Sequence, residues 1–63
     1  MTQKEILYVE DAIKHEKNII DILCIMIENC EDDNICMFGE KEIKKHENIL
    51  EKLNDLLEEK ANE

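Results

Sequence analysis

The chain has 63 residues, of which 43% are apolar, and a formal net charge of −9 with eight lysines and no arginine. A chain of this length forms at most one domain. Its negative charge argues against binding to nucleic acid or to an anionic membrane surface, because both partners are also negatively charged. The N-terminal residues lead into an amphipathic pattern rather than the apolar core of a signal peptide, which favours a cytoplasmic protein.

The first predicted element is a helix over about residues 3–29. Its apolar residues recur at alternating steps of three and four, the spacing of a heptad seam, and Glu16 interrupts them. The seam comprises Ile6, Val9, Ile13, Ile20, Leu23, Ile27 and Cys30. A second stripe beside it contains Tyr8, Ala12, Ile19, Ile22 and Met26, and is interrupted by His15. Two adjacent stripes are too wide for one partner helix, so we expect helix 1 to be covered on two sides.

A turn is predicted at about residues 30–32, where Asp32 and Asp33 are candidate N-caps for a second helix over about residues 33–61. The seam of helix 2 comprises Cys36, Gly39, Ile43, Leu50, Leu53 and Leu57, with His46 as its polar interruption. Its second stripe comprises Ile35, Glu42, Ile49 and Leu56. We interpret Met26, Met37 and Phe38 as core or dimer contacts, and the Lys/Glu alternation over residues 41–45 and 51–60 as a solvated face.

The predicted fold is all-α: a single domain, residues 1–63, that forms an antiparallel two-helix hairpin. Because a two-helix hairpin would leave its wide apolar stripe in water, we expect two copies to pack into a homodimeric four-helix bundle. The three cysteines, Cys24, Cys30 and Cys36, are interpreted as small buried apolar residues in a reducing compartment. Cys30 and Cys36 flank the turn and would be able to meet if oxidised, and this alternative stays open.

Residues 13–20 and 43–50 echo one another, since each places a His-Glu pair inside an apolar helical seam. With the turn centred near residue 31, Glu16 faces His46. Glu42 lies one helical turn from His46, and His15 adjoins Glu16. One interpretation is a buried hydrogen-bonded pair that specifies the register of the helices. The alternative is a zinc, iron or manganese site, because carboxylates and imidazoles inside a four-helix bundle are ligands of such metals.

Residues 38–50 resemble the second helix of the ferritin-like superfamily, and are most similar to rubrerythrins and spore coat protein F-like proteins. Helix 1, with Tyr8, Ala12 and Glu16, is similar to the first helix of that superfamily. The resemblance implies half of a four-helix bundle and a structural, coat-associated role in a spore.

In the metal-binding members of this superfamily, a Glu on helix 1 and a Glu-x-x-His motif on helix 2 hold iron. The resemblance therefore implies Glu16 and His46 as ligands. The Glu of the motif is replaced by Ile43, and Glu42 lies about 100° away around the helix. This departure argues against di-iron chemistry.

From these observations we predict a small non-enzymatic assembly protein that needs no cofactor and binds a second copy of itself. One alternative is a metal-binding protein that holds zinc, iron or manganese through Glu16 and His46, with weaker contributions from Glu42 and His15. The other is a module that binds a different helical protein.

Overall fold

The structure, a computed structural model, describes residues 1–61, so the last two residues of the predicted domain lie outside the described range. Helix α1 spans Gln3–Asn29 and helix α2 spans Asp33–Ala61. The two helices pack against each other, and the described residues contain no β-strand. The predicted all-α helical hairpin is therefore confirmed.

Side chains near each helix start satisfy backbone N–H groups that have no partner within the helix. At α1, the Thr2 hydroxyl accepts a hydrogen bond from the Glu5 backbone N–H at 3.1 Å, and the Glu5 carboxylate accepts one from the Thr2 N–H at 2.8 Å. This is a capping box. The bond from the Thr2 backbone, followed by that from its hydroxyl, holds the pKa of the Glu5 carboxyl below its ordinary value.

The turn between the helices is closed by Asp32 and by a disulfide. The Asp32 carboxylate accepts hydrogen bonds from the backbone N–H groups of Asn34 at 2.8 Å and Ile35 at 3.3 Å, which starts α2. Cys30 and Cys36 are disulfide-bonded, and their Cα atoms are 5.9 Å apart. The interpretation of all three cysteines as buried apolar thiols is wrong. Cys24 is exposed, and the other two form the bridge that the sequence left as an alternative.

The interface between the helices is narrow. Among the described side chains, Ile13 is the one large apolar side chain that is buried, at 7% exposure. Apart from Gly39, which is also buried, the other seam residues are half-buried. The Cα atoms extend over 47 × 14 × 11 Å. The hairpin exposes 5074 Å², whereas a compact monomer of this mass would expose about 4,200 Å². An isolated hairpin therefore leaves unusually much of its surface in water.

Near the turn, α1 and α2 approach closely at Gly39, which is buried. A Cβ atom at this position would lie 2.7 Å from Cε of Met26 and 2.8 Å from Cγ1 of Ile27. The methionine tip can move at little cost, but the Ile27 atom is close to its backbone. The glycine is needed here for close contact between the helices and not for an unusual backbone conformation, since Gly39 does not have a positive φ.

We expect Gly39→Ala to lower the free energy of unfolding by about 1 kcal/mol, because an overpacking cost of about 2 kcal/mol exceeds the gain of about 1 kcal/mol in helix propensity. Urea unfolding followed by circular dichroism measures the change. In an Ile27→Ala background, which lacks the Cγ1 atom, Gly39→Ala should cost less stability than it does in the parent chain. An alanine variant more stable than the parent would show that the helices can separate there at no cost.

Candidate functional site

Three titratable side chains form one layer at mid-height in the hairpin, which we call the polar layer: Glu16, Glu42 and His46. The His46 Nδ1 atom lies 2.5 Å from Oε2 of Glu16, so the predicted pairing of these residues is present. On the opposite edge of the ring, Nε2 lies 3.6 Å from Oε2 of Glu42. The side chains of Glu16, His46 and Glu42 are 16%, 18% and 27% exposed.

Helical spacing turns these polar groups inward. Glu16 lies between Ile13 and Ile20 on the α1 seam, and His46 lies between Ile43 and Leu50 on the α2 seam; each neighbour is three or four residues away. Packing of the apolar neighbours therefore places the Glu16 carboxylate and the His46 imidazole together between the helices. With Nδ1 donating to the carboxylate, the ring orientation is set by Glu16.

The polar layer of one chain does not converge on a point where a metal could sit. The Glu16 and Glu42 carboxylates contact opposite edges of the His46 ring, and both ring nitrogens already face a carboxylate. His15 is exposed and belongs to no such cluster. Within residues 1–61, no three His, Cys, Asp or Glu side chains are grouped so that they could hold a metal ion. The ligand set implied by the ferritin-like resemblance thus does not fit within a single chain.

The second feature is an apolar surface, which we call the front face. It contains the apolar residues of both second stripes together with Phe38: Tyr8, Ala12, Ile19, Ile22, Met26, Ile35, Phe38, Ile49 and Leu56. His15 and Glu42 are the polar residues of these stripes. Tyr8, Ile22, Ile35 and Phe38 are among its exposed large side chains. On each helix, the second stripe lies about 90° around the helix axis from the seam. Viewed from the N-terminus of each helix, the direction of this rotation is the same for both. Because the helices are antiparallel, equal rotations put both stripes on one side of the hairpin.

The opposite side of the hairpin, which we call the back face, is acidic. It contains Glu10, Asp21, Glu28, Asp33, Glu40, Glu47, Glu51 and Glu58, all exposed, with Lys17 among them. Burying a row of carboxylates against another protein would require a compensating positive charge for each. The back face is therefore suited to water, and the front face is the side suited to burial.

The structure also shows where several other residues of the two helices lie. Phe38 belongs to the front face, and its spacing of eleven residues from Ile49 is the sequence signal for this. Met37 lies on the side of α2 that faces away from α1 and is exposed, so it is not a core residue. Lys45 and Lys52, interpreted as part of a solvated face, flank the apolar residues of the front face at helical spacing.

The described residues contain no pocket, and neither described helix has a segment long and apolar enough to span a membrane. A scan against models of protein families matches no family, and neither a search of curated proteins nor one of solved structures returns a match.

Proposed function

We propose that this chain is a non-enzymatic assembly module that works as a homodimer, in which two hairpins pack their front faces together as a four-helix bundle. The observation that carries the proposal is the grouping of exposed large apolar side chains from both helices on the front face: Tyr8, Ile22, Ile35, Phe38 and Leu56. The exposed Leu7, Ile25 and Met37 lie on other sides of the hairpin, where charged residues surround them. Monomeric proteins rarely leave such a contiguous apolar surface in water. The resemblance of residues 38–50 to spore coat protein F-like proteins supports a structural, coat-associated role for the assembly.

The front face is large enough for a stable dimer. Its length is the 47 Å extent of the hairpin, and two adjacent helices of about 10 Å diameter give a width of about 20 Å. The projected area is therefore roughly 900 Å² per copy, slightly above the roughly 800 Å² per partner of a standard interface. Burial of each large apolar side chain contributes about 1.5–3 kcal/mol.

The test compares neighbouring residues of equal exposure on different sides of the same helix. Ile22 and Ile25 are 65% and 60% exposed, and Phe38 and Met37 are 58% and 60% exposed. Ile22 and Phe38 are on the front face, whereas Ile25 and Met37 face away from the partner helix. We expect Ile22→Glu and Phe38→Glu each to raise the dimer dissociation constant tenfold or more, because each would bury an unpaired carboxylate.

Ile25→Glu and Met37→Glu are the matched controls, since they add the same charge at the same exposure and should leave the dimer intact. Analytical ultracentrifugation over a range of chain concentrations measures all five proteins. If the parent chain sediments as a monomer at high micromolar concentration, homodimerisation is wrong, and a different helical protein becomes the next partner to test for the front face. Equal weakening by front and control variants would place the interface elsewhere.

We propose metal binding as the second candidate, because the polar layer collects two carboxylates and an imidazole in one half-buried position. A site for zinc, iron or manganese would need ligands from two copies, for example both Glu16 and both His46 side chains, with Glu42 and His15 around them. If the chain is an assembly module alone, untagged protein purified without chelator should contain no stoichiometric metal. Mass spectrometric metal analysis after loading with each ion tests this. A stoichiometric metal that His46→Ala abolishes would establish the metal site.

A further inference from the structure

We propose that the two hairpins of the dimer bind with their turns at the same end, so that α1 of each copy packs against α2 of the other and Ile22 of each copy contacts Phe38 of the other. This inference rests on the homodimer proposed above, and it names the orientation of the two copies. The observation that carries it is a difference between the two ends of the front face. The end at the turn is apolar, whereas the end at the chain termini also contains charged side chains.

The front face occupies two heptad positions on each helix, and all residues at these positions divide into three parts along the hairpin. The turn third, from residues 21–29 and 33–41, contains four large apolar side chains, one asparagine and no charge: Ile22, Met26, Asn29, Ile35 and Phe38. The terminal third, from residues 3–11 and 51–59, contains two large apolar and three charged side chains: Glu5, Tyr8, Lys52, Leu56 and Glu59. The middle third, from residues 12–20 and 42–50, is mixed: Ala12, His15, Ile19, Glu42, Lys45 and Ile49.

Two-fold symmetry allows two arrangements of facing hairpins. In the same-end dimer the axis runs along the bundle, and the turn third of each copy covers the turn third of the other. In the opposite-end dimer the axis crosses the bundle, and each turn third covers the terminal third of the other copy. The middle thirds face each other in both arrangements, so the charges of Glu42 and Lys45 do not distinguish between them.

The residues that meet follow from their height above the polar layer, where Glu16 and His46 lie at one level. In the same-end dimer, Ile22 faces Phe38 of the other copy, and Met26 faces Ile35. In the opposite-end dimer, Met26 faces Glu5 of the other copy. The other two facing pairs of that dimer are Ile22 with Tyr8 and Phe38 with Lys52.

Apolar packing favours the same-end dimer. Ile22, Met26, Ile35 and Phe38 of both copies would form one cluster that excludes water, and stable interfaces have such an apolar centre with few charged residues. In the opposite-end dimer the Glu5 carboxylate would instead lose water against Met26, which costs free energy. The hydrogen bond from the Thr2 N–H holds this carboxylate at the start of α1, where the same-end dimer leaves it beside the chain terminus.

The charges at the two ends of the bundle do not outweigh this packing. Lys52 of one copy and Glu5 of the other lie on facing helices in the same-end dimer, about 7.5 Å apart along the axis, so opposite charges are neighbours there. At the other end the two turns bring together the carboxylates of Glu31, Asp32 and Asp33, which are all exposed. Repulsion between exposed charges is small and is screened at physiological salt, whereas apolar contacts are not screened.

A mixing experiment tests the contact of Ile22 with Phe38. Chains with Ile22→Glu and chains with Phe38→Lys each place a charge against an apolar residue in their own homodimers. In a mixed same-end dimer the new carboxylate faces the new ammonium group, and the unchanged Phe38 faces the unchanged Ile22. We expect the mixed dimer to bind about tenfold more tightly than either homodimer. Native mass spectrometry separates the three dimers by mass, and the mixed dimer should exceed the share that random pairing gives.

The matched control mixes Ile22→Glu with Tyr8→Lys, because positions 22 and 8 face each other in the opposite-end dimer alone. This mixture should show no preference for the mixed dimer. A preference in the control mixture alone overturns the same-end orientation, and the homodimer stands. A preference in neither mixture, or an equal preference in both, overturns the contact of Ile22 with Phe38.

Orientation is measured independently through Cys24, the exposed free thiol of α1. Position 10 has the same heptad position on α1, so labels at the two positions differ only in height. In the same-end dimer the two Cys24 residues lie at one height, and Cys24 and position 10 of the other copy are about 21 Å apart along the bundle. In the opposite-end dimer these axial separations are about 24 Å and about 3 Å. Position 10 is labelled in the variant Cys24→Ser/Glu10→Cys, without reductant so that the disulfide stays closed.

Resonance energy transfer between donor- and acceptor-labelled chains compares the two label pairs. Higher transfer for Cys24 with itself than for Cys24 with Glu10→Cys, together with the preference of Ile22→Glu for Phe38→Lys, supports the proposal. The reverse order of transfer overturns the orientation while the homodimer stands. A monomeric parent chain at all concentrations overturns both this proposal and the homodimer, and sedimentation of the unlabelled parent identifies that case.

Discussion

Replacement of Glu16 by leucine is expected to lower the free energy of unfolding by about 2–3 kcal/mol, because the nearly buried His46 ring would keep an N–H donor without its carboxylate acceptor. His46→Leu should cost about 2 kcal/mol for the converse reason, since a carboxylate that is 16% exposed would lose its donor. Urea unfolding followed by circular dichroism measures both changes. All variants are compared at one chain concentration, since the stability of a dimer depends on concentration.

The double variant Glu16→Leu/His46→Leu is expected to be at least as stable as the parent. Two leucines in the seam would bury apolar surface and leave no unpaired polar group, so the cycle should show a coupling of about 4 kcal/mol or more, the sum of the two single losses. Glu47→Leu adds the same side chain at an exposed position of α2 and should change stability by less than about 0.5 kcal/mol. If the two single losses simply add in the double variant, the short contact between Glu16 and His46 does not stabilise the fold.

A stabilised double variant would also show why the polar layer is present. A polar pair in an apolar seam costs stability but penalises any register in which the partners do not meet. Shifting α2 by one residue would swing His46 about 100° away from Glu16. The NMR spectrum of the double variant should then show more than one set of amide signals, whereas the parent should show one.

The helices follow from local sequence features that act over a few residues. Heptad spacing around Ile13 and Ile43 selects the helical period, and the Asp32 carboxylate provides a start for α2 that needs no tertiary contact. The meeting of Glu16 with His46 was also predictable, because a short turn centred near residue 31 leaves few registers for two antiparallel helices. Each of these predictions depends only on residue type and on spacing along the chain.

Other features depend on atoms that spacing does not describe. The place of a residue in the sequence predicts which side chains are near His46. It does not predict that Glu16 and Glu42 contact opposite edges of the ring, because those contacts depend on side-chain torsion angles. The cysteine prediction failed for a similar reason. Helical periodicity placed Cys30 and Cys36 in the seams without showing that the chain brings their sulfur atoms together across the turn. Phe38 and Ile22 are exposed in the single hairpin, and the spacing of residues along one chain does not show whether a second chain would cover them.

Opening the Cys30–Cys36 disulfide is expected to lower the free energy of unfolding by about 2 kcal/mol. The bridge joins residues six positions apart, and closing a loop of this length removes roughly that much chain entropy from the unfolded state. Most of the bridged segment is the interhelical turn and the first helical turn of α2. The loss of stability should therefore appear as a lower urea midpoint, while the dependence of the unfolding free energy on urea concentration should be almost unchanged. The measurement compares oxidised protein with the variant Cys30→Ser/Cys36→Ser.

The free thiol provides the control for this last prediction. Cys24→Ser changes an exposed residue of α1 that is outside the bridge, and it should leave the urea midpoint unchanged. Mass spectrometry after alkylation should find one modified cysteine in the oxidised chain and three after reduction. Three modified cysteines before reduction, or equal stability of oxidised protein and double serine variant, would contradict the prediction. In that case the Asp32 cap and the contact of Gly39 with Ile27 would be sufficient to hold the turn.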